Sequence, residues 1–204
     1  SMKIVETFVS LQGEGVRQGM PCFFVRLAGC NLNCAWCDTP ASLSEGVEMS
    51  VDEVIAKIAE SGLQYVCITG GEPLLQKDEV KELLAVLKGA ELIVDIETNG
   101  TLGFEDLFDA AYICMDVKCP SSGEISDLSL ITTLRETDCV KLVIGDEADY
   151  LYMVEVLAAH PDLKAAVCIT PVYGTDVSWL IETIIAERLP VRFQLQLHKQ
   201  VNIP

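Results

Sequence analysis

Short apolar runs alternate with helical patterns along the whole chain. Ile4–Phe8, Cys22–Leu27, Tyr65–Thr69, Leu92–Glu97, Tyr112–Val117, Val140–Ile144, Ala166–Thr170 and Val191–Leu197 read as strands. Most are near-continuous Val, Ile, Leu and Cys, as in parallel strands covered on both faces. Helices fall between several of them. Ser50 and Glu53 form a capping box before Val51–Ser61, and Gly62 stops that helix. Val54, Ile55 and Ile58 are its apolar stripe. Asp78–Lys88 puts Val80, Leu83, Leu84 and Leu87 on one face and ends at Gly89. Glu147–His160 and Asp176–Arg188 each halt near a proline, Pro161 and Pro190. Alternating β and α elements predict an α/β fold with a parallel sheet and right-handed crossovers. The connection after Glu97 and the stretch Ser121–Thr137 have weaker helical patterns. A full eightfold barrel needs about 250 residues, and this chain has 204. An incomplete barrel is therefore expected. Neither linker, repeat nor low-complexity tract divides the sequence, which reads as one domain over residues 1–204. Ser1 ahead of Met2 reads as an expression remnant.

This layout places the chemistry, because parallel α/β sheets bind ligands at the carboxyl ends of their strands. Ala28-Gly29-Cys30, Gly70-Gly71-Glu72-Pro73, Glu97-Thr98-Asn99-Gly100, Lys118-Cys119-Pro120-Ser121 and Thr170-Pro171-Val172-Tyr173 each follow a strand. Composition narrows the field. With 14 Lys and Arg against 31 Asp and Glu, the net charge is −17. That argues against direct binding of a nucleic-acid backbone. Half the residues are hydrophobic and mean hydropathy is positive, so the chain folds. No apolar run reaches the roughly 18–20 residues that span a bilayer, and the first residues alternate rather than form a signal block. A soluble cytoplasmic protein is expected. Nine Cys is an odd number, and a reducing compartment disfavours a disulfide framework.

Three of the nine stand apart. Cys30, Cys34 and Cys37 have the spacing C-x3-C-x2-C. Thiolates hold iron–sulfur clusters. Three local ligands on a four-iron cluster leave one iron open for a substrate or cofactor. Structural zinc wants four ligands, and His160 and His198 lie far along the chain. The spacing favours iron–sulfur and leaves zinc open. Cys22, Cys67, Cys114, Cys139 and Cys168 read as small buried hydrophobes on strands; Cys119 needs no role.

The cysteine motif, with Trp36 before the last Cys, resembles the radical S-adenosylmethionine (SAM) signature. Gly70-Gly71-Glu72-Pro73 resembles the superfamily's GGEP motif. Leu11-Gln12-Gly13-Glu14-Gly15, Phe24-Val25-Arg26, Trp36-Cys37-Asp38-Thr39, Glu97-Thr98-Asn99-Gly100, Asp116-Val117-Lys118 and Leu195–Lys199 together resemble the 7-carboxy-7-deazaguanine synthase family. The resemblance runs from about residue 4 to the last. It implies a modified, incomplete (β/α)6-type radical SAM barrel and a ring-contracting lyase of queuosine biosynthesis. Such an enzyme converts 6-carboxy-5,6,7,8-tetrahydropterin to 7-carboxy-7-deazaguanine and releases ammonia. A radical made from SAM takes hydrogen from C6 and later returns it, regenerating SAM. A [4Fe-4S] cluster, SAM and Mg2+ are the implied cofactors. A homodimer and a flavodoxin or ferredoxin electron donor are implied as well.

The same resemblance implies roles for named residues. Cys30, Cys34 and Cys37 would ligate the cluster and Thr39 would ligate Mg2+. Trp36, Asp38, Gly71, Glu72, Thr98, Asn99, Lys118, Ser121, Thr170 and Tyr173 would meet SAM, with Ser122 and Gly70 beside them. Leu11, Gln12, Gly13, Glu14, Arg26, Thr69, His198 and the terminal carboxylate of Pro204 would meet the pterin. Simpler readings stand beside these. Gly-Gly-Glu-Pro and Asn-Gly also serve as turns. Arg26 has either the substrate carboxylate or Glu14 as its partner. The alternation Gln194 to His198 places Gln194, Gln196 and His198 on one strand face. A glycyl-radical activating enzyme shares the cysteine spacing but lacks reason for the Leu11–Gly15 and Leu195–Lys199 motifs. An electron-transfer or zinc module leaves the strand-end motifs unexplained.

Overall fold

The computed structural model describes residues 1–37, 39–40 and 45–204. Among the described residues, nine strands form one sheet: β1 Met2–Leu11, β2 Pro21–Leu27, β3 Val47–Met49, β4 Tyr65–Gly70, β5 Ile93–Thr98, β6 Tyr112–Asp116, β7 Cys139–Ile144, β8 Ala166–Pro171 and β9 Arg192–Phe193. Their spatial order is β3-β1-β2-β4-β5-β6-β7-β8-β9. From β2 through β9 every neighbouring pair is parallel, while β1 lies antiparallel to both β2 and β3. The sheet is open, since β3 and β9 do not pair with each other. The incomplete-barrel expectation agrees with this.

Helices α1 Val51–Ser61, α2 Lys77–Gly89, α3 Glu147–Ala159 and α4 Ser178–Ala186 occupy four crossovers. The α1 capping box forms as expected, and Gly62 adopts φ 69° to end the helix. The two crossovers with weak patterns carry only short 3-10 turns, at Glu105–Leu107, Pro120–Ser122 and Leu128–Thr133.

Period-two alternation divides the parallel strands into two chemical faces. Val25, Leu27, Val66, Ile68, Val94, Ile96, Ile113, Met115, Val140 and Leu142 join the helices in the main core. Their neighbours point the other way. Cys22, Phe24, Tyr65 and Cys67 form a separate small cluster with Phe8. Arg26, Thr69, Glu97, Cys114, Asp116 and Lys141 continue that second face toward the carboxyl ends. Apolar runs thus conceal an inner face that becomes polar as each strand ends.

Two expectations need correction. Val191–Leu197 is not one strand: only Arg192 and Phe193 pair with β8, and Leu197–Gln200 is a short helix, α5. The tail spends its hydrogen bonds on the segment after β1 instead. The Gln194 amide accepts from Gly15 N and donates to Gly15 O, both at 2.9 Å, and Leu197 N donates to Gly13 O at 2.9 Å. The short strand β3 was not expected. It is three residues, two of them exposed, and is held by pairing with Met2–Ile4.

Candidate active site

The carboxyl ends of β2 and β4–β7 enclose a cavity of about 200 Å3. One wall is the loop after β2. Cys30, Cys34, Cys37, Trp36 and Leu32 all face the cavity, and all nine cysteines of the chain are free thiols. Gly71 lies directly behind Cys30. A β-carbon there would strike the Gly29 carbonyl oxygen and the Cys30 Cβ, so glycine is required for this approach. Asn99 holds the loop from β5: its Nδ2 donates to Asn31 Oδ1 at 2.9 Å and lies 4.0 Å from Cys30 Sγ. Burial raises the Cys34 pKa, and the Lys118 ammonium pulls it part of the way back. Lys118 Nζ sits 5.6 Å from the Trp36 ring centre and 2.7 Å from Asp116 Oδ2. Three reduced thiols, a cation beside one of them and a glycine cleared of Cβ together fit a thiolate-held cluster with a ligand close against the backbone.

The opposite wall comes from the segment after β1 and from the tail. Leu11, Gln12, Gly13, Glu14, Arg26, Thr69, Gln196, His198 and Pro204 line it, with Thr39, Gly70, Thr98 and Asn99 between the two walls. His198 packs where a Gly13 side chain would be, since a Cβ on Gly13 would fall on the imidazole. The floor carries charge. Lys141 Nζ pairs with Glu14 Oε1 at 2.7 Å and lies 3.9 Å from Asp116. Burial works against the Lys141 charge, but Glu14, Asp116 and Glu97 outweigh it and hold its pKa well above the usual value. Burial, then Glu14, raises the Glu97 pKa; Lys141 and the Thr69 hydroxyl oppose that rise. Glu14 Oε2, Asp116 Oδ1 and Thr170 Oγ1 are buried and meet no hydrogen-bond partner among the described residues. Two of these orphans belong to cavity residues, so the cleft offers acceptors to a donor-rich ligand.

Several expected positions lie elsewhere. Glu72 is fully buried and not part of the lining; its carboxylate accepts from Leu74 N, Asn99 N and Thr98 Oγ1. Ser121 stands behind Trp36, accepting from its indole N–H at 3.1 Å while donating to Asp149. Ser122 is buried, its hydroxyl spent on Cys119 O. Thr170 is buried on β8, outside the lining. Tyr173 is 65% exposed and lies under Lys199. Asp38 lies outside the described residues. Arg26 does not pair with Glu14. It faces Glu6 across the β1/β2 register and donates to it at 2.9 Å, and to Gly70 O at 3.4 Å. Gln194 binds Gly15 and leaves Gln196 and His198 to the cavity. Sequence reasoning missed Lys141, Cys114, Val143, Phe8 and Phe24. Alternation along β6 and β7 holds the signal for Cys114 and Lys141: both fall on the polar face.

The radical SAM superfamily matches residues 25–118, which begin on β2 and end at Lys118. The 7-carboxy-7-deazaguanine synthase of Methanospirillum hungatei is 54% identical over 203 residues, covering 100% of this chain and 86% of that protein. The Chlorobaculum tepidum enzyme of the same name is 37% identical, covering 100% and 95%. The chain belongs to the 7-carboxy-7-deazaguanine synthase family. It is a radical SAM enzyme, so a [4Fe-4S] cluster, SAM and a reductant go with its activity. The crystal structure of QueE from Escherichia coli superposes with a TM-score of 0.79 at 27% identity, covering 97% of this chain and 94% of that one. Streptococcus suis SuiB bound to S-adenosylmethionine has a TM-score of 0.57 at 13% identity, over 81% of this chain and 44% of that one. That likeness shows the shared fold. Membership in this synthase family removes the zinc-module and glycyl-radical-activase readings. Among the described residues, no helix is long and apolar enough to cross a membrane.

Proposed function

We propose that this chain converts 6-carboxy-5,6,7,8-tetrahydropterin to 7-carboxy-7-deazaguanine, releasing ammonia, in 7-deazapurine and queuosine biosynthesis. One observation carries this reading. A single cleft sets the Cys30–Cys37 loop against a wall of Gln12, Glu14, Arg26 and His198, a distribution that suits a cluster on one side and a small polar heterocycle on the other.

When bound, the cluster and SAM supply a carbon radical able to take hydrogen from an unactivated carbon. The chain supplies position. Cys30, Cys34 and Cys37 would hold the cluster. Gly71 would admit SAM against the backbone, and Trp36, Thr98, Asn99 and Lys118 would flank it from the cleft lining. Glu14 Oε2 and the Gln12 amide oxygen accept from the aminopyrimidinone edge. Leu11, Gly13 and Thr69 shape the slot, and Gly13 makes room for His198. Arg26, already tethered by Glu6, faces the substrate carboxylate, with Pro204 closing that end. Thr39 would offer its hydroxyl to Mg2+, an ion that takes few protein ligands. A one-electron donor of the flavodoxin or ferredoxin class would supply the electron that the cluster's chemistry needs, and the protein would work as a homodimer. Nine free thiols suit a reducing cytoplasm.

The product assay tests this. Anaerobically reconstituted protein, given SAM, reductant and carboxytetrahydropterin, is expected to form a deazapurine chromophore and ammonia, faster with Mg2+ than without. A cluster-replete protein that forms neither contradicts the assignment.

A further inference from the structure

A glutamine amide reads differently in its two orientations. One presents an acceptor to the cleft, the other a donor. Gln12 is only 4% exposed and stands at the head of a buried hydrogen-bond chain. Its Nε2 donates to the Tyr65 hydroxyl at 2.9 Å. Tyr65 donates in turn to Asp95 Oδ2, and Arg17 donates to Asp95 Oδ1 at 2.6 Å.

The far end fixes the direction of this chain. Arg17 can only donate. Its guanidinium is held in place 4.4 Å from the Tyr112 ring centre. Asp95, ion-paired to it, can only accept. Tyr65 owns a single proton, which burial keeps on the phenol by raising its pKa, and that proton goes to Asp95. The Tyr65 oxygen is left able only to accept, so Gln12 must offer its NH2. The near end agrees. Gly13 N donates to Gln12 Oε1 at 3.0 Å, and a reversed amide would set two donors against each other.

We infer that Arg17, Asp95 and Tyr65 are positioning residues that lock the Gln12 amide with Oε1 toward the cleft, and thereby select a 2-amino over a 2-oxo heterocycle. The inference rests on the pterin reading given above. None of the three residues lines the main cavity; they act through Gln12. A site committed to accepting from a substrate N–H rejects the analogue that presents an oxygen there, because two acceptors are then left facing each other.

The test uses cluster-replete enzyme without reductant, so that substrate binds without turning over. Calorimetry gives dissociation constants for 6-carboxytetrahydropterin and for its 2-oxo counterpart, 6-carboxytetrahydrolumazine. Wild type is expected to prefer the amino compound by about tenfold or more. Tyr65→Phe removes the fixed acceptor and leaves the Gly13 N–H alone to hold the amide, so the preference is expected to fall to about threefold or less. In turnover the same variant raises KM for the amino substrate while kcat stays within about threefold. Asp95→Asn lets the chain run backwards. The new amide donates to the Tyr65 oxygen, and Tyr65 donates to Gln12, so the preference is expected to fall at least as far. An unchanged preference in Tyr65→Phe, or equal weakening toward both compounds, overturns the inference. Should Asp95→Asn not fold, Tyr65→Phe decides alone, since it deletes one oxygen and keeps the ring. A wild type that binds neither compound overturns the pterin reading instead.

Discussion

A β-carbon on Gly13 would meet three ring atoms of His198. The obstacle is a side chain at the rim, so it can swing away where a backbone could not. Gly13→Ala is therefore expected to fold and to bind its cluster, but to displace His198 from the slot. Substrate KM should rise about tenfold with kcat changed far less, as for a lost binding contact. Unchanged KM would detach His198 from substrate binding. At Gly71 the obstacles are a backbone carbonyl and a cluster-loop Cβ, which have no such freedom. Much at this scale was legible from sequence, because the cysteine spacing and the glycine motif are local. Ion pairs were not. Lys141 lies inside an apolar run and finds Glu14 from 127 positions away, while Arg26 meets Glu6 only because the β1/β2 register sets them opposite.

At the scale of elements, Glu72 joins the ends of β4 and β5. It accepts from Asn99 N at 2.7 Å, from Leu74 N at 3.0 Å and from the Thr98 hydroxyl at 2.9 Å. Burial raises its pKa, and these same donors hold part of that rise back. Glu72→Ala would strand three buried donors, so a loss of about 2–4 kcal/mol is expected in urea denaturation. A loss below about 0.5 kcal/mol would contradict a clamping role. The same variant should load less iron, since Asn99 carries Asn31 and the cysteine loop with it. Helices α1 and α2 were readable because their apolar stripes are written in neighbouring residues, and α1 and α3 start on side-chain caps, Ser50 and Asp146. The end of the sheet was not. Gln194 to His198 alternates like a strand, yet Gln194 and the Leu197 N–H satisfy Gly15 and Gly13, and pairing with β8 stops at Phe193.

Across the whole molecule, the alternation within each parallel strand does two jobs. The aliphatic face packs the helices. The other face carries cysteines and aromatics below and charges above, so the open sheet holds its chemistry at one end. Continuous hydrophobic runs hid this division from sequence, because cysteine counts as apolar and Lys141 or Glu97 reads as an interruption. The charge of −17 also takes its place. It suits an enzyme that makes a free base precursor rather than one that grips a polyphosphate chain. Catalysis on this reading requires the cleft to hold C6 of the pterin within reach of SAM at the cysteine loop. Turnover of substrate bearing deuterium at C6 with unlabelled SAM measures this directly. Deuterium is expected in recovered SAM or 5′-deoxyadenosine as deazaguanine forms. Deazaguanine formed with no deuterium in either would contradict it.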